Sequence, residues 1–325
     1  MSATTKIAWC DSTVNFWEGC TKVSAGCANC YAEARDKRFT GGKLWGNGAP
    51  RRKSKSAVKA ALAYNRKPWI CDECGEAARS DLNGVPINPW CDVCGLETQW
   101  HRRRIFSLSL GDWLDEAAPI EWLAEMLDTI RQCDQVVWVL CTKRPENFHI
   151  LMSLVEQHHV DRSEMVDWLS DWRCGTPPAN IILLTSVENQ EQADRRIPEL
   201  MKIPAVCHGL SLEPLLGAVG LSKWLCYIPD DFQNRIRPEA FWLICGGESG
   251  SNARPCNVDW IRSLVSQGKS SGVATFVKQL GSNPVHGDSL NDHDLDVVIH
   301  DKKGGDITEF PKDLRVREWP EMPTR

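Results

Sequence analysis

The chain has 325 residues, of which 42% are hydrophobic and 25% charged, and its formal net charge is -5. These values are ordinary for a globular protein with one large α/β domain or two medium ones. No apolar run approaches the ~18–20 residues of a membrane span, and the start, MSATTKIAWCDST, lacks the layout of a signal peptide. We therefore expect a cytoplasmic protein. Reduced thiols there argue against a disulfide framework for the 15 cysteines.

A first cysteine cluster follows the first predicted strand, Thr13–Trp17. The stretch GCTKVSAGCANCYAEA spaces Cys20, Cys27 and Cys30 as C-x6-C-x2-C, and the next cysteine is Cys71. A structural zinc site needs four protein ligands, so this cluster is one ligand short. A distant cysteine or histidine could complete a zinc site, or the cysteines could carry no metal. Alternatively, they hold three irons of a [4Fe–4S] cluster and leave the fourth iron for a small molecule, which suits a glycine-containing loop.

The N-terminal third of the chain is basic. Residues 1–110 carry 17 Lys and Arg against 10 Asp and Glu, whereas the remainder carries 21 against 33. Ten basic residues and no acidic one lie between positions 37 and 67, and Arg102–Arg104 follow. This pattern predicts a polyanionic partner, with nucleic acid as the leading class. A solvated, lysine-rich loop is the alternative.

A second cysteine cluster consists of two CxxCG knuckles, CDECG and CDVCG. Its members are Cys71, Cys74, Cys91 and Cys94. The glycine after each knuckle permits the left-handed backbone that lets N–H groups approach the sulfurs. Four such thiolates form a closed tetrahedral site, so we predict a structural Zn2+ in a zinc-ribbon module. A rubredoxin-like iron site is the alternative.

Buried strands alternate with helical patterns in the rest of the chain. Four strands are predicted at 103–110, 135–142, 180–187 and 241–247, and two weaker ones at 205–212 and 273–278. Their apolar runs lack alternation, which is typical of parallel strands covered on both faces. Repetition of strand, turn and helix about six times predicts a partial (β/α)6-type TIM barrel, with a doubly wound sheet as the alternative. The predicted organisation is barrel start, cluster loop and basic loop at 1–66, zinc-ribbon insertion at 67–100, remaining barrel at 101–281 and C-terminal extension at 282–325.

Polar residues end nearly every predicted strand, which favours the barrel. Barrel enzymes build their active sites from the carboxyl ends of their strands. The residues are Asp112, Thr142 to Arg144, Ser186 to Asn189, Ser211 to Glu213, and Gly246 to Ser249. Any one of them alone is also explained as a helix cap.

The stretch IAWCDSTVNFWEGCTKVSAGCANCYAEARDKRF resembles the opening of a phage- and bacteria-encoded family of three-cysteine, radical-SAM-like proteins of unknown function. The resemblance recurs at LWGNGAPRR, LCTKRPENF, TSVENQEQADRRIPELMKIPA, SLEPLLGAV, ICGGESGSNARP, FVKQLG and DLRVREWP, so it spans essentially the whole chain, with the knuckles as an insertion. That family is similar to radical SAM enzymes of the spore photoproduct lyase type. If a phage encodes the protein, we expect it in the host cytoplasm.

Two features depart from the radical SAM pattern. The first cysteine gap has six residues instead of three, and Leu110-Gly111-Asp112 replaces the early GGE, whereas Gly246-Gly247-Glu248 comes late.

The resemblance implies that Cys20, Cys27 and Cys30 ligate a [4Fe–4S] cluster whose open iron binds S-adenosylmethionine (SAM). An external electron donor would then drive SAM cleavage to a 5′-deoxyadenosyl radical that abstracts hydrogen from a substrate. The expected SAM residues are Tyr31 for the adenine, Asp112 for the amino group, Lys143 for the carboxylate, and Ser186, Glu188 or Asn189 for the ribose. The expected substrate residues are Glu213, Glu248, Arg254, Lys278 and Gln279.

The leading substrate is a modified nucleic-acid base, as in phage DNA hypermodification. A peptide or small-molecule substrate remains an alternative. So does a non-enzymatic, zinc-dependent nucleic-acid-binding protein with all seven clustered cysteines on zinc.

Overall fold

A computed structural model describes residues 5–78, 86, 88–158, 161–225, 240–286 and 299–322. The strands are β1 (Ser12–Val14), β2 (Trp17–Glu18), β3 (Arg52–Lys53), β4 (Trp69–Cys71), β5 (Trp100–Arg102), β6 (Arg104–Ser107), β7 (Val137–Thr142), β8 (Ile181–Ser186), β9 (Cys207–Leu212), β10 (Phe241–Gly246), β11 (Cys256–Asn257), β12 (Ala274–Gln279) and β13 (Pro284–Val285). The helices are α1 (Tyr31–Thr40), α2 (Ala57–Asn65), α3 (Ile120–Gln132), α4 (Phe148–His158), α5 (Ser163–Arg173), α6 (Gln190–Met201), α7 (Ser222–Leu225) and α8 (Val258–Ser271). Parts of the predicted insertion (79–85 and 87) and of the predicted C-terminal extension (287–298 and 323–325) lie outside the described residues.

A curled sheet of seven parallel strands forms the centre of the molecule, in the order β1-β6-β7-β8-β9-β10-β12. A doubly wound sheet reverses its strand order at a switch point. This order runs in one direction across the described strands, so the doubly wound alternative is wrong. The sheet is a half-barrel with β1 and β12 at its two edges.

The two faces of the sheet bury different side chains. On the concave face, Val139, Ile182 and Ile244 pack with Trp9 and Cys10, near the start of the chain. On the convex face, alternate residues of the same strands join the larger core that includes the helices. Because both faces are buried and successive strand residues point to opposite faces, β7, β8 and β10 are apolar at nearly every position.

Two predicted strands are shorter than the sequence suggests. The segment predicted at Thr13–Trp17 is divided between β1 and β2, and β2 pairs antiparallel with β3. The segment predicted at 103–110 ends as a strand at Ser107, because Leu108 adopts a left-handed backbone with φ of 60°. The turn at Leu108 carries residues 109–112 away from the alternation of β6.

Aromatic side chains close the concave face near the amino ends of the strands. The ring of Trp9 lies 4.7 Å from that of Phe106 and 6.0 Å from that of Trp242. Trp319 packs on Phe276 at 5.0 Å and donates a hydrogen bond to the carbonyl of Trp9. Next to it, Val277 N donates to Val316 O and Glu318 N donates to Thr275 O, so the C-terminal segment lies along β12. No helix in the described ranges has the length and apolar character needed to cross a bilayer.

Candidate functional site at the carboxyl edge of the sheet

Several predicted site residues continue the inward-facing alternation of the strands at their carboxyl ends. Val139 and Cys141 belong to the concave face, and Lys143 is next in that series. Counting every second residue along the other strands gives further inward-facing positions at their carboxyl ends. These are Ser186 and Glu188 for β8, Glu213 for β9, Glu248 for β10 and Lys278 for β12. Two pairs of atoms confirm the convergence. Lys143 Nζ donates to Ser186 Oγ at 3.1 Å, and Lys278 Nζ lies 2.9 Å from Glu213 Oε1.

Glu188 connects the first cysteine loop to the end of β8. Its Oε1 accepts a hydrogen bond from Gly26 N at 3.2 Å, and Arg196 Nη1 donates to its Oε2 at 2.8 Å. Both charged side chains are almost fully buried. Burial acts to raise the pKa of Glu188, but Arg196, Ser24 and other partners outweigh it and hold that pKa below its ordinary value. Glu188 therefore anchors the loop, and its sequence-predicted contact with a ribose stays a prediction.

Arg144 makes a second connection, from the end of β7. Its Nη2 donates to Thr21 O at 2.8 Å, and its Nη1 lies 2.9 Å from Asp112 Oδ2 and 3.6 Å from Cys20 Sγ. Arg144 thus places a positive charge against one of the three loop thiols.

The carboxylate of Asp112 is fully occupied inside the protein. It accepts hydrogen bonds from Leu114 N, Thr142 Oγ1, Lys143 N and Arg144 Nη1. An ionised carboxylate has about four lone-pair sites, and these four donors use them. These hydrogen bonds do not support the expected role of Asp112 as an acceptor for SAM. Asp112 instead orients Arg144 and the turn after β7.

Glu248 and Arg254, both expected on the substrate side, make a third connection. Arg254 Nη2 and Nε donate to Glu248 at 2.5 and 2.9 Å, and Arg254 Nη1 donates to the carbonyl of Ala25 at 2.9 Å. Asn29 Nδ2 also donates to Glu248 Oε2 at 2.9 Å. These hydrogen bonds hold the loop and leave Glu248 little capacity for a substrate.

Two further predicted residues have structural partners. Gln279, expected on the substrate side, is buried and donates to the carbonyl of Gly247 at 2.7 Å. Asn189, expected at a ribose, caps helix α6 by accepting from Gln192 N at 3.0 Å. For both residues, the structure supports a role in holding backbone rather than a ligand.

Tyr31 begins helix α1 directly after Cys30 and reaches the turn that follows β6. Its hydroxyl donates to the carbonyl of Ser109, while the residue is 56% exposed. Burial of the hydroxyl raises the pKa of Tyr31, with added effects from the nearby Cys30, Cys10 and Cys141. Tyr31 is thus open to solvent and yet close to Cys10 and Cys141 of the concave face, and its expected contact with the adenine stays a prediction.

The three loop cysteines are free thiols of intermediate exposure. Burial, followed by the negative charge of Asp112, raises the pKa of Cys20 to about 12, and Arg144 partly offsets the rise. Burial acts to lower the pKa of Lys143, but nearby charges, that of Cys27 first among them, raise it; the pKa of Arg254 is raised chiefly by Glu248, with a smaller effect from Cys27. The loop therefore presents three thiols to a mouth that contains Lys143, Arg144 and Arg254.

The four knuckle cysteines form a separate, metal-competent group. Their four sulfurs, all in described residues, lie within 4.8 Å of one another, which is close enough to hold one ion. Gly75 and Gly95 have left-handed φ angles of 73° and 71°, as predicted. Burial acts to raise the pKa of Cys71, but hydrogen bonds with Thr98 and the backbone lower it to about 6. A four-cysteine group that could bind a metal such as zinc is confirmed, and the binding of zinc itself stays a prediction.

The knuckle module lies at the opposite end of the sheet from the cysteine loop. Its stem, β4 paired with β5, leads directly into the amino end of β6. His101 Nε2 lies 3.1 Å from the carboxylate of Asp11, which precedes β1 and accepts from Arg104 N at 2.7 Å. The module is thereby fixed to the amino ends of the first two strands.

Much of the predicted basic surface is engaged inside the molecule. Arg51 forms a fully buried ion pair with Asp115 at 2.7 Å. Arg102 donates to backbone carbonyls of Asp134 and Gln135, Arg103 packs over Tyr64 and Arg104 packs over Trp319. These contacts do not support the expectation that Arg51 and Arg102–Arg104 meet phosphates, which stays a prediction. The exposed basic residues of the stretch include Arg38, Lys43, Lys55, Lys59, Arg66 and Lys67.

Sequence reasoning named Arg144 among the strand-end polar residues without giving it a role, and it missed Arg196. Arg196 is 1% exposed and lies on the buried face of α6, beside Ala193, Ile197 and Leu200. An arginine at an apolar position of an amphipathic helix is the signal that could have found it, because a buried charge needs a partner.

One family model, described as a protein of unknown function (DUF5131), matches residues 4–319. This is nearly the whole chain, so the protein belongs to that family. No curated protein and no solved structure matches the chain significantly.

Proposed function

We propose that this member of the DUF5131 family is a cytoplasmic radical SAM enzyme. In this proposal the half-barrel is a (β/α)6 core of the radical SAM type, and Cys20, Cys27 and Cys30 hold a [4Fe–4S] cluster at its carboxyl edge. The observation that carries the proposal is the placement of these thiols. A single loop presents all three at the mouth, and side chains from the ends of β7, β8 and β10 fasten that loop.

The residues present fit such a cluster. The cysteines belong to no disulfide, and they do not form a group around one ion as the knuckle cysteines do. Ligands of a four-iron cluster bind different irons and therefore stand further apart than ligands of one ion. The nearby Lys143, Arg144 and Arg254 offset the negative charge of three thiolates, and backbone N–H groups of the loop can approach the sulfides. This arrangement argues against the alternative with all seven clustered cysteines on zinc.

Held by Cys20, Cys27 and Cys30, such a cluster would supply the one-electron chemistry of SAM cleavage, with its electron drawn from an external donor. The protein residues position and shield the reactants. Lys143, held by Ser186 at the mouth, suits the SAM carboxylate. The aromatic floor around Trp9 excludes water from below.

A modified nucleic-acid base is the proposed substrate class, with phage DNA hypermodification as the setting. The exposed lysines between positions 43 and 67 support it, because lysines that meet phosphates supply affinity without reading sequence.

Metal analysis of anaerobically purified protein tests the proposal. We expect a brown protein with about four irons and one zinc per chain. Cys27→Ala should remove iron and keep zinc, and Cys74→Ala should do the reverse. Colourless wild-type protein with zinc alone would contradict the radical SAM assignment, and loss of both metals from either variant would contradict two independent sites.

A further inference from the structure

One carboxylate at the mouth differs from the others. Asp112, Glu188 and Glu248 each accept several hydrogen bonds from the protein. Within the described part of the chain, the polar partner of Glu213 is Lys278. Lys278 Nζ lies 2.9 Å from Glu213 Oε1, but the angles between the two groups are not those of a hydrogen bond. Its second carboxylate oxygen is therefore available to a ligand.

Both members of this pair point into the concave side. Glu213 and Lys278 occupy inward positions at the ends of β9 and β12, and their side chains are 11% and 26% exposed. The charge of Glu213 acts on the inward-facing Cys141, and the charge of Lys278 acts on Cys10. The alternation of β9 and β12 is what places the pair above the buried floor.

Gly246 provides the space in which Glu213 lies. A Cβ atom added at Gly246 would come within 2.9 Å of Glu213 Oε1. The register between β10 and β12 also shifts at this point, between Cys245 and Gly246. The end of β10 is thus shaped around the carboxylate.

We infer that Glu213 and Lys278 are a recognition pair for a planar imide or lactam edge of an unpaired nucleobase, as in thymine, uracil or guanine. A carboxylate only accepts hydrogen bonds and an ammonium group only donates them. Side by side, they match an N–H donor next to a C=O acceptor. Enzymes that act on a base read its Watson–Crick edge after taking it out of the stack. The inference deepens the proposed function, on which its substrate class rests.

Binding of a labelled single-stranded oligothymidylate to the anaerobic full-length protein tests the pair. Methylation of the thymine N3 removes the donor, so the N3-methylated oligomer should bind about tenfold more weakly, or worse. Glu213→Gln and Lys278→Met should weaken binding of the unmethylated oligomer by a similar factor. The matched controls are Glu199→Gln and Lys202→Met. This pair lies at the C-terminal end of α6, away from the inward positions, with N and O atoms 2.7 Å apart, so both variants should bind as wild type does.

Three results would overturn the inference. Equal binding of methylated and unmethylated oligomers would do so, as would wild-type affinity of Glu213→Gln. Absence of oligothymidylate binding at low salt would point instead to a peptide or small-molecule substrate. SAM binding of both variants is measured in parallel, and a loss confined to SAM would assign the pair to the cofactor. Wild-type protein that discriminates the oligomers but never cleaves SAM would contradict the proposed function and leave the recognition pair standing.

Discussion

The carboxylate of Glu188 lies directly against Gly26, in the middle of the cysteine loop. Its Oε1 accepts from Gly26 N at 3.2 Å, and a Cβ at Gly26 would lie 3.0 Å from both Cδ and Oε1 of Glu188. Such a distance is tight for a Cβ atom, so a larger residue must displace either the loop or the carboxylate. The glycine in the six-residue gap therefore lets the loop sit on the end of β8.

Gly26→Ala should lower the iron content of anaerobic protein while zinc stays at one per chain, because the displaced loop presents its thiols in altered positions. Gly220→Ala is the matched control, since a Cβ there meets Gln190 at an ordinary 3.7 Å. Unchanged iron in Gly26→Ala would show that the loop tolerates the shift and that Glu188 does not set its position.

Glu188→Gln should lower the free energy of unfolding by about 3–5 kcal/mol, because it leaves the buried Arg196 without a counter-charge. Removing both charges with Glu188→Gln and Arg196→Met together should restore part of the loss. Glu146→Gln, in the exposed pair with Arg195, should change stability by no more than about 1 kcal/mol. Urea unfolding measures all four proteins, and similar losses for the buried and exposed pairs would refute the assignment.

The ion pair also predicts a pH dependence. Because the pKa of Glu188 is below its ordinary value in the folded state, the unfolded chain binds a proton at a higher pH than the folded chain does. The stabilisation is present above the ordinary pKa of 4.5 and is lost as pH falls through the lowered value. The difference in unfolding free energy between wild type and Glu188→Gln should therefore be constant above about pH 6 and shrink in acid. A difference that grows in acid would contradict the lowered pKa.

Lys143→Met should weaken SAM binding about tenfold and leave iron content unchanged, because it removes the charge proposed for the SAM carboxylate while Arg144 still holds the loop. Asp112→Asn should act differently. It releases Arg144 from its partner, so iron content should fall together with SAM binding. Equilibrium dialysis with SAM and iron assays distinguish the two variants. Equal effects on iron would mean that Lys143 supports the cluster rather than the cofactor.

Nucleic-acid binding should depend on the exposed lysines and not on Arg51. Replacing Lys55 and Lys59 together should reduce the slope of log affinity against log salt by up to about two, one for each phosphate that is no longer neutralised. Arg51→Met should instead lower thermal stability, because it leaves the buried Asp115 without its counter-charge. Titrations at several salt concentrations decide the first point, and an unchanged slope would show that the two lysines are solvated side chains without a phosphate partner.

The sequence predicted the parallel strands and the polar residues at their carboxyl ends, since both follow from local periodicity. It did not predict which polar residues are already satisfied. Asp112 and Thr142 are 30 residues apart, and their hydrogen bond depends on the alignment of neighbouring strands. Charge counts along the chain overlook such distant partners for the same reason. The stretch from 37 to 67 contains no acidic residue, but Asp115 and Glu125 reach it from elsewhere in the fold.

The C-terminal segment along β12 has a consequence for how copies of the protein behave toward one another. A half-barrel leaves its last strand with a row of free backbone groups, which is a template for pairing with another chain. Backbone atoms of Val316 and Glu318 occupy part of that row, and Trp319 fastens the segment to Trp9. A chain cut before Val316 would keep its cysteine loop and its knuckles but expose the edge of β12. Copies of such a chain would associate with one another through that strand, although both cysteine clusters would be intact.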